Sequence, residues 1–280
     1  MTEDFLIVGL GLIGGSYARG LRQAGCRVRA LDPDGEAIAW ALEHGVIDAG
    51  ATDCNDWIGT AGAVVLGMYP TAMVDWVQAH RGYFRPGQMV CDVAGVKGEF
   101  PARIQALLPP ETHFIGCHPM AGREVSGVQN SDAAIFRDAN FIITPTERNS
   151  AADIAFARQL AQTLGFRHIA ELSPQAHDEM VGFVSQLTHA IAVSLMNCNG
   201  DPQLKEYTGD SFRDLTRIAR INEVMWSELF LLNRETLTQE IDAFTGTLTH
   251  LRDALARGDR DELQRLFIQS TKRRQEFDRQ

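Results

Sequence analysis

The sequence is short of positive charge. Its 26 Lys and Arg stand against 36 Asp and Glu, a net charge of −10 at pH 7, with a pI near 5.3; this excludes the basic face that nucleic-acid binding needs. Paired cysteines are also missing. The five, at 26, 54, 91, 117 and 198, are odd in number and scattered, and none forms a C-x-x-C pair. Neither a disulfide framework nor a cysteine zinc site fits that pattern, so no metal is expected; reduced thiols in a cytoplasmic protein do fit. The N-terminal apolar run, Phe5 to Gly15, falls far short of the ~18 residues of a membrane span. Met1-Thr2-Glu3-Asp4 is acidic, unlike a signal peptide. Internal repeats and low-complexity tracts are absent as well. A soluble chain with neither a membrane nor a nucleic-acid partner is expected.

What is present begins with Phe5-Leu6-Ile7-Val8, which reads as a buried strand and runs into Gly9-Leu10-Gly11-Leu12-Ile13-Gly14, followed by a helical stretch to about Gly25. Strand, G-x-G-x-x-G and helix, in that order, are the context a dinucleotide-binding turn requires. Gly9 allows the tight turn, Gly11 lets the backbone approach a pyrophosphate, and Gly14 lets helix and strand pack closely, with Leu12 and Ile13 opening the helix. A second strand, Cys26 to Leu31, ends at Asp32, 18 residues past Gly14 and near the roughly 20-residue spacing of the acid that binds the adenosine ribose. An acid there repels a 2′-phosphate, so NAD is expected over NADP. Asp32 also suits the turn before Pro33, and the two roles are compatible.

Further strands are read at Ala63 to Met68, Gln88 to Val93, Phe114 to Gly116 and Asn140 to Pro145, with a helix from Ser150 to Leu164. Alternating strands and helices imply an α/β Rossmann domain with a doubly wound parallel sheet, ligands lying at the carboxyl ends of its strands. From Ser173 strand signals vanish. Amphipathic runs succeed them at Gln175 to Asn197, Ser211 to Asn222, Val224 to Asp253 and Arg260 to the end. The expected partition is a dinucleotide-binding domain over 1–170 and an all-helical domain over 171–280.

Three constellations carry chemistry. In Gly116-Cys117-His118-Pro119-Met120-Ala121-Gly122-Arg123-Glu124, His118 is either a turn histidine or a group placed to touch the reacting atom of a hydride donor. Asp178, Ser185 and His189 fall at helical offsets of 7 and 4 and so share one face at 100° per residue; buried among apolar neighbours, they need a polar partner, whether substrate or another helix. Ser211 and Asp214 resemble a capping box, so a helix is expected to start there. In it Asp214 either pairs with Arg217 on the surface or holds its guanidinium for a bidentate grip on a substrate carboxylate.

Together, His118-Pro119-Met120-Ala121-Gly122-x-Glu124, His177-Asp178 with Ser185-x-x-x-His189, and Phe212-Arg213-Asp214-Leu215-Thr216-Arg217-Ile218-Ala219 with Trp226 resemble the prephenate/arogenate dehydrogenase family of tyrosine biosynthesis, over essentially the whole chain. The resemblance implies a Rossmann domain, a helical dimerisation domain forming a homodimer, and a reaction in which hydride passes to NAD⁺ while the ring carboxylate leaves as CO₂. It implies His118 as the base at the ring hydroxyl, Arg217 on a substrate carboxylate and His189 in contact with substrate. Glu124 would stand at the pocket mouth, Ser185 and Asp214 on the substrate side, Lys97 after the loop of Asp92, and Asp92 beside the cofactor. Two departures stand out: Gly95 where many members carry a serine beside the histidine, and Gln186 where some carry another histidine. Asp210, where many prephenate-using members read glycine, either caps a helix or meets the ammonium of arogenate. No fused chorismate mutase or regulatory domain is expected. Alternatives are a dehydrogenase of 4-amino-4-deoxyprephenate, suggested by Gly95, and an NAD-binding protein without catalysis.

Overall fold

A computed structural model describes residues 3–277. The chain forms two compact units, the first ending at Asn233 and the second starting at Arg234. In the first, eight strands make one sheet: β1 (Asp4–Val8), β2 (Arg27–Leu31), β3 (Ala49–Ala51), β4 (Ala63–Leu66), β5 (Met89–Asp92), β6 (His113–Pro119), β7 (Asn140–Thr144) and β8 (His168–Glu171), in the order β3-β2-β1-β4-β5-β6-β7-β8. Six helices accompany it: α1 (Leu12–Gln23), α2 (Gly35–Glu43), α3 (Asn55–Thr60), α4 (Pro70–His80), α5 (Phe100–Leu107) and α6 (Ala151–Thr163).

The apolar runs of β1 and β4 follow from burial on both faces. Along β1, Phe5 and Ile7 enter a core with Tyr17 of α1, and Leu6 and Val8 enter a second core with Met73 of α4. Local signals set the helix starts. Asp34 caps α2, Pro70 opens α4, and Ser150 with Asp153 forms a capping box at α6.

The sheet departs from all-parallel at β7, which runs antiparallel to β6 with His118 opposite Ile142. The connection from β6 to β7 holds only two short 3₁₀ turns, Val128–Asn130 and Ala133–Phe136. Without a crossover helix to carry it back, the chain returns in the opposite direction.

Beyond β8 the first unit is helical: α7 (Pro174–Val181), a π-helical segment (Gly182–Leu187), α8 (Thr188–Asn197), α9 (Leu204–Tyr207), α10 (Asp210–Thr216), a 3₁₀ turn (Arg217–Ala219) and α11 (Glu223–Leu232). The expected continuous helix from Ser211 to Asn222 is therefore broken at Thr216. Pro174–Asn197 is long and apolar enough, by length and composition alone, to cross a membrane. It nevertheless carries His177, Asp178, Gln186 and His189, all hydrogen-bonded within the fold. The second unit is a helical hairpin of α12 (Arg234–Ala256) and α13 (Arg260–Gln275). Asp259 caps α13, and His250 Nε2 lies 2.6 Å from Glu262 Oε1 across the turn.

Candidate active site

At the carboxyl end of β1 the glycines are fixed by their surroundings. Gly9 has φ +98°, and a Cβ there would lie 2.7 Å from the carbonyl oxygen of Gly67; at Gly14 a Cβ has no room against the carbonyl oxygen of Gly9. Gly11 precedes α1 with no side-chain cap and open space around its Cα. The first turn of α1, which includes Leu12 and Ile13, thus presents N–H groups and a positive dipole end to a phosphate. Asp32 stands at the end of β2, its Oδ2 accepting from Leu10 N at 2.6 Å and its Oδ1 from Asp34 N at 2.8 Å. It lines an open cleft of about 510 Å³ with Leu10, Gly11, Glu36, Trp40 and Gln129. A carboxylate oxygen accepts more than one hydrogen bond, so Asp32 is both turn-former and candidate ribose partner. These residues fit a dinucleotide.

His118 lies near the end of β6. Its Nδ1 is 2.8 Å from Nε2 of His177, whose Nδ1 is 2.7 Å from Asp178 Oδ1. Asp178 also accepts from Lys97 N at 2.8 Å and Gly98 N at 2.6 Å, tying α7 to the loop after β5. Asn233 donates to the Asp178 carbonyl at 3.0 Å and to Gln186 Oε1 at 2.7 Å, while Gln186 donates to Leu229 O at 3.0 Å. Gln186 therefore fastens α11 to the π-helical segment Gly182–Leu187. Burial, then the neighbouring His177 and Lys97, pushes the His118 pKa well below the ordinary histidine value. Burial likewise lowers that of His177, against the opposing effect of its hydrogen bond to the Asp178 carboxylate.

The second cluster contains His189, Glu124 and Arg217. His189 Nδ1 lies 2.8 Å from the Ser185 carbonyl, and its ring stacks on Trp226 with centroids 3.7 Å apart. Burial lowers its pKa, with the Ser185 carbonyl and Glu124 opposing and Arg217 assisting. Arg217 pairs with Glu124, its side chain 65% exposed, so the guanidinium is open to an anion. The two clusters meet along α11. Leu229 neighbours the Gly95 and His118 end, and Trp226, about one helical turn earlier, covers His189.

Several expected placements differ. Lys97 is 1% exposed, its Nζ donating to Asp92 Oδ2 at 2.5 Å and to the Cys117 carbonyl at 2.7 Å. Asp92 is fully buried and also accepts from Ala94 N and Cys117 N. A buried charge needs a partner, and this pair, with its contacts to Cys117, joins β5 to β6. Asp214 does not hold Arg217; Glu124, 93 positions away, does. The capping box of Ser211 and Asp214 is not formed, because α10 starts at Asp210 after Gly209 with no side-chain cap. Asp210 is therefore the first helical residue, not a cap, and its side chain is 95% exposed, 3.4 Å from Arg213. The shared face of Asp178, Ser185 and His189 is broken by the π-helical segment, whose i→i+5 bonding rotates the later residues off that face. Asp178 turns to the β5 loop, and Ser185 meets His189 through its backbone carbonyl.

In the sequence His177 stands only as part of a motif and Asp178 as one of a helical face, and their place behind His118 is not visible there. A His-Asp pair near a helix start, with no partner nearby in the chain, is the signal that could have found it.

The family described as "Prephenate dehydrogenase, nucleotide-binding domain" matches residues 17–170, and "Prephenate dehydrogenase, dimerization domain" matches residues 173–269. The chain is 29% identical to the prephenate dehydrogenase of Bacillus subtilis, over 95% of this chain and 74% of that protein. It is 31% identical to the cyclohexadienyl dehydrogenase of Zymomonas mobilis, over 97% and 95%. The crystal structure of Aquifex aeolicus prephenate dehydrogenase in complex with hydroxyphenyl propionate and NAD⁺ superposes with a TM-score of 0.91 at 30% identity, covering 99% of this chain and 98% of that one. With two matches spanning most of its length and a close likeness of fold, the chain belongs to the prephenate dehydrogenase family.

Proposed function

We propose that this chain is an NAD-dependent dehydrogenase that oxidatively decarboxylates prephenate or arogenate, yielding 4-hydroxyphenylpyruvate or tyrosine. The observation that carries it is His118, a part-open, neutral imidazole held near the end of a Rossmann strand and backed by His177. When bound, NAD⁺ supplies the hydride acceptor. Gly9, Gly11 and Gly14 give its pyrophosphate a backbone cradle with Leu12 and Ile13, and Asp32 takes its ribose. His118 Nε2 accepts the proton of the ring hydroxyl as hydride leaves the same carbon, the ring carboxylate departs as CO₂, and the phenolate left behind regains a proton to become a phenol. Arg217 grips a substrate carboxylate, exchanging its contact with Glu124 for one of the same kind. The Nδ1 of His189 is engaged by the Ser185 carbonyl, which leaves Nε2 toward substrate.

The partition we favour is a dinucleotide-binding domain over 1–170 and a helical substrate and dimerisation domain over 171–280. Exposed apolar residues in the helical part, Phe183, Val224 and Leu231 among them, support a homodimer. We assign the enzyme to the cytoplasm, with Pro174–Asn197 as an internal helix whose His and Asp need protein partners. Asp210 marks the substrate choice: its exposed carboxylate at the start of α10 suits the ammonium of arogenate. NADH formation with prephenate and arogenate in parallel, with product identification by mass spectrometry, tests this reading. Turnover of neither substrate overturns it, and an unchanged substrate ratio in Asp210→Asn removes Asp210 from the choice.

A further inference from the structure

We propose that His177 and Asp178 are positioning residues that fix the tautomer of His118, holding its proton on Nδ1 and keeping Nε2 as a standing lone pair. The proposal deepens the reading of His118 as the base and rests on it. At the Asp178 end the hydrogen-bond direction cannot be reversed. Lys97 N and Gly98 N are backbone donors, and both point at the Asp178 carboxylate, which only accepts. His177 Nδ1, 2.7 Å from Asp178 Oδ1, must therefore donate. Neutral His177 then carries no proton on Nε2, so across the 2.8 Å contact His118 Nδ1 must donate in turn. With both rings neutral, any other arrangement sets two lone pairs or two protons against each other.

His177 is fully buried, so solvent offers its ring no substitute partner. The other charged groups around the pair are Lys97 and Asp92, and Lys97 Nζ is spent on Asp92 and the Cys117 carbonyl. On the opposite side Gly95 presents no side chain to Nε2. The tautomer of His118 is thus set from behind, through His177. The same chain serves the protonated state: once Nε2 has taken a proton, Nδ1–H still donates to His177, and the Asp178 carboxylate offsets the charge at one remove.

Ring ¹⁵N–¹H correlation spectra of the full chain labelled with ¹⁵N-histidine read the tautomer directly, without substrate, with Asp or Asn variants of His118 and His177 assigning the signals. At neutral pH both rings are expected to carry hydrogen on Nδ1 alone. A His118 protonated on Nε2 overturns the proposal. In His177→Gln the Oε1 can accept from His118 Nδ1, so the Nδ1–H signature and kcat within about tenfold of the parent are expected. In His177→Leu the acceptor is gone; His118 should populate Nε2–H, and kcat should fall roughly 10²- to 10⁴-fold with KM and NAD⁺ affinity little changed. Equal damage in both variants, or full kcat in His177→Leu, contradicts the tautomer role. Should His177→Leu not fold, the parent spectrum and His177→Gln decide alone. The expected spectrum in a protein that turns over neither substrate would leave the tautomer assignment standing and bring down the functional reading.

Discussion

Gly95 faces the ring of His118: a Cβ placed on it would lie 3.7 Å from Nε2 and 3.8 Å from Leu229 Cδ1, both ordinary contact distances. A serine there fits without displacing either neighbour, and its hydroxyl would stand within reach of Nε2. Gly95→Ser is therefore expected to fold normally and to raise kcat or lower KM by severalfold, since it adds one hydrogen bond worth roughly 0.5–1.5 kcal/mol. Steady-state kinetics with both substrates check this. A loss of more than tenfold would mean that the open space beside His118 is itself used by the substrate.

His118 and Arg217 should separate in kinetics. His118→Asn keeps size and some hydrogen bonding but removes the base, so kcat should fall roughly 10²- to 10⁴-fold with KM nearly unchanged. Arg217→Ala removes a contact made before the transition state and should act mainly on KM. The reverse pattern would exchange their roles.

Burial keeps His118 neutral well below the ordinary histidine value of 6.5, which sets the direction of the pH dependence. The base is ready at neutral pH and is lost as pH falls through its lowered pKa, so the acid limb of kcat/KM should lie below 6.5. Stability follows the same sign. The unfolded chain takes up protons at His118, His177 and His189, which the fold keeps neutral, so resistance to urea should decline as pH drops below the unfolded histidine value. A midpoint that rises on acidification would contradict these assignments.

Lys97 offers a stability test that a substrate-binding lysine would fail. Lys97→Ala leaves the fully buried Asp92 carboxylate without its cation, a loss of roughly 3–5 kcal/mol visible as a lowered urea midpoint. Adding Asp92→Asn should recover part of it. If Lys97→Ala instead leaves the midpoint unchanged and raises KM, Lys97 serves the substrate and not the fold.

Asp32 is expected to govern the choice of cofactor. Its carboxylate is anchored by Leu10 N and Asp34 N and lines the cleft beside Glu36, so a 2′-phosphate would meet negative charge. Asp32→Ala should narrow the preference for NAD⁺ over NADP⁺ in kcat/KM. Comparable use of both cofactors by the parent enzyme would remove Asp32 from that role.

The parts legible in the sequence are those written locally. β1, the glycine turn and Asp32 share one short stretch of chain whose pattern and spacing carry the meaning. The strand Ala49–Ala51 lacks any branched or aromatic residue, and edge strand His168–Glu171 has one large apolar residue, Ile169, so neither shows a strand signal. The reversal of β7 is set by the absence of a helix between Pro119 and Asn140, which a run of buried residues does not report. In the site, His118 and Arg217 stand out by motif, but their partners lie far away in sequence: His177 for His118, Glu124 for Arg217, Asp178 for the Lys97 backbone. The π-helical segment undoes the shared face inferred for Asp178, Ser185 and His189, which assumes a regular helix. Asp92 and Lys97, five residues apart, stand as site residues by resemblance alone; their mutual contact, which the sequence does not report, shows that they satisfy each other.

The most direct test of the central claim is the stoichiometry of CO₂ released to NADH formed, measured with substrate labelled in the ring carboxylate, for the parent enzyme and His118→Asn. Oxidative decarboxylation at His118 requires one CO₂ for each NADH in the parent, with both signals falling together in the variant. NADH without CO₂, or rates untouched by His118→Asn, would contradict it.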